Sequence, residues 1–212
     1  MKKALLLGGL MVLKMTITTH AQTLINQNWN VDTLLTPGNP TGFATSETFQ
    51  GLSSTPITSV SVNLDISGGY NGGLYGYLVL QNAGSTPVTE VLLNQIGTTP
   101  SNLFGSQAGG LDVTLSDTGT ANGSIHDAAD VPTGTWLPDS TSTLDGTFSG
   151  MTANGTWTLF LADLDAGTPA PTLVSWGLDV GVTPVPEPTS AWVTGLGGVL
   201  LLAGRLIRNR RK

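Results

Sequence analysis

At 212 residues the chain has room for one domain of ordinary size plus terminal segments. Its 8 Lys and Arg residues all lie near the ends, at Lys2, Lys3 and Lys14 and at Arg205, Arg208, Arg210, Arg211 and Lys212, while all 14 Asp and Glu residues fall between Asp32 and Glu187. A central region with 14 acids and no Lys or Arg cannot neutralise phosphates, so nucleic acid and anionic membrane surfaces are excluded as its partners; it is left without salt bridges, and the absence of cysteine removes disulfides, thiolate nucleophiles and thiolate metal sites.

The chain opens on Met1-Lys2-Lys3, continues with the apolar run Ala4–Leu13, and places the small residues Thr19 and Ala21 before a cut ahead of Gln22. This is the three-part pattern of a secretory signal peptide, residues 1–21, with an apolar helix too short to span a bilayer. Export and a domain stabilised by its core alone are the expectation.

From residue 22 to 182 the main signal is alternation of apolar and polar side chains. Val60, Val62, Leu64 and Ile66 alternate with Ser61, Asn63 and Asp65, which predicts a half-buried strand. Leu111, Val113 and Leu115 repeat the pattern, as do Trp157, Leu159 and Leu161, and then Val174, Trp176, Leu178 and Val180. Further strands are predicted at 74–80, 88–94 and 147–148, and Asn71-Gly72, Asn122-Gly123 and Asn154-Gly155 read as turns. No stretch sustains a helical period. Abundant glycine and many short strands predict two packed antiparallel sheets. The alternation assigns Trp157 and Trp176 to the core.

The order of these strands resembles the P domain (P/Homo B) that follows the catalytic domain of subtilisin-like proprotein convertases. The likeness is carried by Ile57–Ile66, by Tyr70-Asn71-Gly72-Gly73-Leu74 and the strand to Leu80, by Val113–Asp117 and by Leu144–Gly150. Its most specific part is Asn154-Gly155-Thr156-Trp157-Thr158-Leu159-Phe160-Leu161-Ala162-Asp163, ending in Leu173-Val174-Ser175-Trp176-Gly177-Leu178. The match spans about residues 45–181 and implies an all-β, antiparallel jelly-roll β-sandwich over 22–182. One departure stands out: the family has Gly-Asp-Leu where this chain has Gly72-Gly73-Leu74. The resemblance brings no active site, because the protease domain that P domains accompany is missing.

Residues 183–188 form a proline-rich linker that cannot join a central strand or a helix interior. The apolar run Ala191–Gly204 follows, shorter than the ~20 residues of a typical spanning helix; counting from Thr189 to Ile207, with Arg205 snorkelling to the interface, brings it to spanning length. The basic cluster Arg205, Arg208, Arg210, Arg211 and Lys212 stays cytoplasmic, which places the domain outside. Val185-Pro186-Glu187-Pro188, an apolar helix and an Arg-rich end together resemble the PEP-CTERM sorting signal. The resemblance implies processing by an exosortase, removal of the 189–212 segment and release to the surface or exopolysaccharide matrix of a Gram-negative bacterium; a permanent membrane anchor is the alternative.

Candidate chemistry is sparse. Once the signal is removed, His126 is the remaining histidine, and its loop position between Asn122-Gly123 and Asp130 reads as a solvated side chain rather than a general base. No Gly-x-Ser-x-Gly elbow occurs. Paired carboxylates could serve a glycosidase, though 13 acids before the sorting motif make chance proximity expected. Calcium takes carboxylate and carbonyl oxygens without His or Cys, and Asp117, Asp163 and Asp165, each following a strand, are the candidate ligands. Trp29, Trp136, Tyr70, Tyr75 and Tyr77 could stack on sugar rings. The expectation is a non-catalytic surface or matrix protein; a carbohydrate- or calcium-binding module is the alternative, and a hydrolase a distant third.

Overall fold

A strand with strict alternation has one dry and one wet face, and two such sheets bury their dry faces only against each other. The structure, a computed structural model, describes residues 22–183 apart from Ser53 and Thr168 and apart from the side chains of Gln22 and Thr23. The expected signal segment 1–21, the Val185–Pro188 motif, and the expected helix and basic tail over 189–212 lie outside the described residues.

The described chain is mostly strand, in two sheets. Its elements are β1 (Gln22–Leu34), β2 (Phe43–Phe49), β3 (Ile57–Ser67), β4 (Leu74–Gln81), β5 (Val88–Asn94), β6 (Leu111–Ser116), β7 (Thr133–Trp136), the one-turn helix α1 (Leu144–Phe148), β8 (Gly155–Asp163) and β9 (Thr172–Val182). One sheet has the order β1-β9-β3-β6-β7 and the other β2-β8-β4-β5. Both sheets send side chains into one buried cluster: Val60, Val62, Leu64 and Leu178 come from the first, and Leu78, Leu80, Leu92 and Leu159 from the second. Trp157 and Trp176 are fully buried in it. Each buried side chain of this size contributes about 1.5–3 kcal/mol, and the cluster stands in for the missing disulfides.

Two expectations need correction. The pairing is not wholly antiparallel, since β7 lies parallel to β6. The connection 117–132 runs the length of the sheet and returns the chain to the end where β6 began, which a tight hairpin could not do. Residues 147–148 are not a strand but the end of α1. Leu144 and Phe148, four apart, are both buried; the Thr143 hydroxyl accepts from Gly146 N, and Asp117 caps the helix from outside. A single turn is too short to show a period in the sequence, and its buried residues mimic alternation.

The register defines two poles. Gln22 and Ile57 both pair with Val182, so the chain enters and leaves at one pole. Leu34 and Ser67 pair with Thr172, Leu111 with Ile66, and Leu74 with Asp163, at the other. The long loop 95–110 belongs to this far pole, because it leaves β5 beside Tyr75 and enters β6 beside Ile66.

Candidate functional site

With no Lys or Arg to pair with, the carboxylates of this domain find amides and hydroxyls. Asp117, just beyond β6, accepts from the backbone of Leu144 at 3.0 Å and of Asp145 at 2.8 Å, satisfying two of the amides that the start of α1 leaves open. Asp145 accepts from Val60 N at 2.8 Å. Burial raises the Asp145 carboxyl above its ordinary value, the Asp117 charge adds to the rise, and the Val60 amide works against it. Glu90 of β5 points inward opposite Leu78, is 3% exposed, and takes hydrogen bonds from Ser142 Oγ at 2.8 Å and from Thr147 Oγ1. On the wet face of the five-stranded sheet a row runs across four strands: Asn26 and Asn63 donate to Asp179 at 2.5 and 3.1 Å, and Thr114 donates to Asn63 at 2.6 Å.

The three calcium candidates are not all brought together: Asp163 and Asp165 share a turn, and Asp117 lies at the other end of the sandwich. Asp117 follows Ser116, which pairs with Ser61, while Asp163 pairs with Leu74 at the far pole. β6 separates the two ends by about 17 Å at strand rise. Asp163 is fully buried and accepts from Asp165 N at 3.0 Å, and Asp165 accepts from Gly167 N at 3.0 Å, which are the bonds of a tight turn. Among the described residues no group of three or more His, Cys, Asp or Glu is placed to hold a metal ion. A side chain at position 73 would not fit this turn unless it moved: a Cβ at Gly73 would overlap Asp163 Oδ1 and sit 3.1 Å from Asp165 Cβ.

His126 is half-buried and held by two partners, where the sequence reading expected a solvated loop side chain. Its Nδ1 lies 2.7 Å from Asp139 Oδ2 and its Nε2 lies 2.9 Å from the Thr98 carbonyl oxygen, with the side chains 28% and 16% exposed. A carbonyl can only accept, so Nε2 donates; an ionised carboxylate likewise accepts, so Nδ1 donates too. Burial disfavours the charged ring, but it is outweighed by the bonds to Asp139 and Thr98 and by the charges of Asp139 and Asp127, and the pKa is raised. While the ring is protonated both nitrogens donate, and in either state both are taken up by Asp139 and Thr98 rather than open to a serine or a water.

The aromatic candidates divide by sheet face. Trp29 pairs with Trp176 across the dry face, with ring centroids 4.6 Å apart, and reaches Phe49 of the other sheet at 6.3 Å. Trp136 packs on the core and donates to Thr133 O at 2.9 Å. Tyr70 is half-buried just before the turn 71–73. Tyr75 and Tyr77 stand on the wet face of the four-stranded sheet, where Tyr77 stacks on Phe160 at 4.6 Å and meets Tyr75 edge-on at 6.1 Å. Beside them Ser46 and Thr158 share a hydrogen bond of 2.7 Å, and Thr48 and Thr156 one of 3.0 Å.

Two hollows accompany these features. An open groove of about 1200 Å3 at the entry and exit pole is lined by Phe49, Gln50, Leu52, Gln81, Asn82 and Met151 among others. Its amides hold the backbone: Asn82 donates to the carbonyls of Thr152 and Asn154, and Asn154 bonds both the N–H and the C=O of Leu52. A smaller groove of about 420 Å3 lies between the 97–107 loop and His126, Asp127, Ala128 and Ala129. Sequence reasoning passed over Glu90, Asp139 and Asp145, since nothing local marks a carboxylate whose partners lie tens of residues away.

No family model matches the chain, and no curated protein matches it. Among solved structures it is similar to the serine protease of Aeromonas sobria, at 16% identity over 80% of this chain with a TM-score of 0.44. The same protease in complex with its chaperone aligns at 18% identity over 78% of this chain with a TM-score of 0.45. In both comparisons the chain spans 28% of the matched chain's length.

Proposed function

We propose that the chain is an exported, non-catalytic surface or matrix protein: a P-domain-like jelly-roll sandwich carried between a secretory signal and an exosortase-type sorting signal in a Gram-negative bacterium. The observation that supports the non-catalytic reading is how the histidine and the more buried carboxylates are engaged. Both His126 nitrogens are occupied by fixed partners, Asp117 and Asp145 hold backbone amides, and Glu90 and Asp179 are held by side-chain donors. Groups locked into the scaffold in this way are poor proton shuttles, because a general base needs a lone pair within reach of its substrate.

The test is the intact mass of the protein in membrane, surface and medium fractions of its host. A released species beginning near Gln22 and ending near Pro188 supports sorting to the matrix. A full-length C-terminus found only in membranes overturns it in favour of a permanent anchor.

A second reading, a carbohydrate-binding module, is favoured by the Tyr75, Tyr77 and Phe160 row beside its two hydroxyl pairs, an apolar and hydrogen-bonding surface without charge. Retardation by the host exopolysaccharide in affinity electrophoresis, lost in Tyr77→Ala, supports it; migration unaffected by polymer removes it. Calcium binding would have to use the far-pole acids without Asp117, and unchanged thermal stability in chelator removes that reading.

A further inference from the structure

The large apolar side chains that the domain leaves in solvent are not scattered. Leu34, Leu103, Phe104, Val131 and Leu164 are 64, 76, 72, 52 and 37% exposed, and all sit at the far pole. Leu34 ends β1, Leu164 follows β8, Val131 precedes β7, and Leu103 and Phe104 form the tip of the 95–110 loop. The tip is held rather than loose. Thr99 and Asn102 exchange two backbone hydrogen bonds, and Asn102 Nδ2 donates to Gly97 O and Gly105 O at 3.3 and 3.0 Å. The loop base is tied by Gly97 N to His126 O, Ser106 N to Ile96 O and Gly72 N to Ser106 O, at 2.7–2.8 Å. Apolar side chains presented by a fixed backbone lose little freedom when they are covered.

The carboxylates around them complete the pattern. Asp32, Asp112, Asp127 and Asp130 are exposed, and among the described residues no side-chain hydrogen bond holds any of them. Asp112 moreover faces Asp65 directly across β3 and β6, a like-charge pair that costs stability in a domain without Lys or Arg. From the β1 edge to the β7 edge the sheet covers four inter-strand steps, about 19 Å, which suits one side of a standard protein interface better than a single small molecule.

From this arrangement we infer that the far pole is a docking surface for a basic polypeptide partner, one that places apolar side chains on Leu103 and Phe104 and Lys or Arg beside Asp127 and Asp130. A second copy of this domain would set carboxylate against carboxylate, and an anionic lipid surface would be repelled in the same way. The inference goes beyond the export reading and stands whether or not the chain is released from the membrane.

The test uses the full chain and a labelled amphipathic peptide of alternating leucine and lysine blocks, with polylysine, phosphatidylcholine vesicles and phosphatidylglycerol vesicles as comparison probes. The peptide binds more tightly than polylysine of equal charge, and L103S/F104S weakens it by about tenfold or more, the scale of a lost interface anchor. D127N/D130N weakens binding and flattens its salt dependence. Both variants keep the wild-type circular dichroism, since the changed side chains lie in solvent. Equal affinity of wild type and L103S/F104S overturns the inference. So does dimerisation in sedimentation that this variant abolishes, or vesicle binding that it abolishes, each assigning the surface to a different occupant.

Discussion

Replacing Asp139 by Asn keeps the shape of the side chain and an acceptor for His126 but removes the charge. In the folded protein the ring donates to Asp139 at 2.7 Å and to Thr98 O at 2.9 Å, and its pKa is raised above the ordinary 6.5. A charge-assisted hydrogen bond contributes about 1.5–3 kcal/mol when shielded. With the two side chains 28% and 16% exposed, solvent screens part of this, leaving about 1–2 kcal/mol. Because the folded state holds the proton more tightly than the unfolded one, this contribution is fully present below the unfolded pKa and is lost as pH rises through the folded pKa. The measurement is urea unfolding of wild type and Asp139→Asn at about pH 5.5 and about pH 8.5, since the general relief of acidic self-repulsion at low pH is common to both. The wild type is the more stable by about 1–2 kcal/mol at the lower pH, equivalent to roughly 2–8 °C in Tm, and the gap narrows at the higher. A gap that stays constant or widens with pH would refute the raised His126 pKa and the sign drawn from it.

Other perturbations read other parts of the scaffold. Gly73→Ala places a methyl against Asp163 Oδ1 and Asp165 Cβ, and is expected to cost about 1–3 kcal/mol in chemical unfolding; a neutral result would mean that the turn yields. Asp117→Ala removes the acceptor of two α1 amides, with an expected loss of about 1–2 kcal/mol. The same change takes a negative charge from beside Asp145, so the Asp145 pKa should fall toward its ordinary value in a carbon-detected NMR titration. A carboxyl raised by burial and by a like charge costs stability above its folded pKa, a cost relieved as pH falls through it, so the variant should lose part of that acid-side gain. Phe148→Ala empties a fully buried site beside Trp157, whose ring centroid is 5.2 Å away, and should cost about 3–5 kcal/mol by denaturant midpoint.

What the sequence determined by itself is the part of the protein that depends on local pattern. Alternation in Val60–Ile66, Leu111–Leu115, Trp157–Leu161 and Val174–Val180 marks strands at the middle of both sheets, because a strand buried on one face must show a period of two. β1, β2 and β7 were harder to read. β1 is interrupted by register shifts at 23–25 and 30–33, β2 carries Thr45 and Glu47 at inward positions, and β7 is only four residues long. The charge map also came from the sequence: a base-free acidic region is a matter of counting. Tertiary structure alone decided which acids hold what. Asp117 meets α1 some 27 residues later, Glu90 meets Ser142 at a separation of 52, and the His126 pKa is raised because Thr98 and Asp139 come to it from either side in the chain. It alone also gathered five apolar side chains from Leu34 to Leu164 onto one pole. Local periodicity reports which face of an element is dry, but the partner of a polar group and the company of an exposed one are set by strand order and register, which no local pattern encodes.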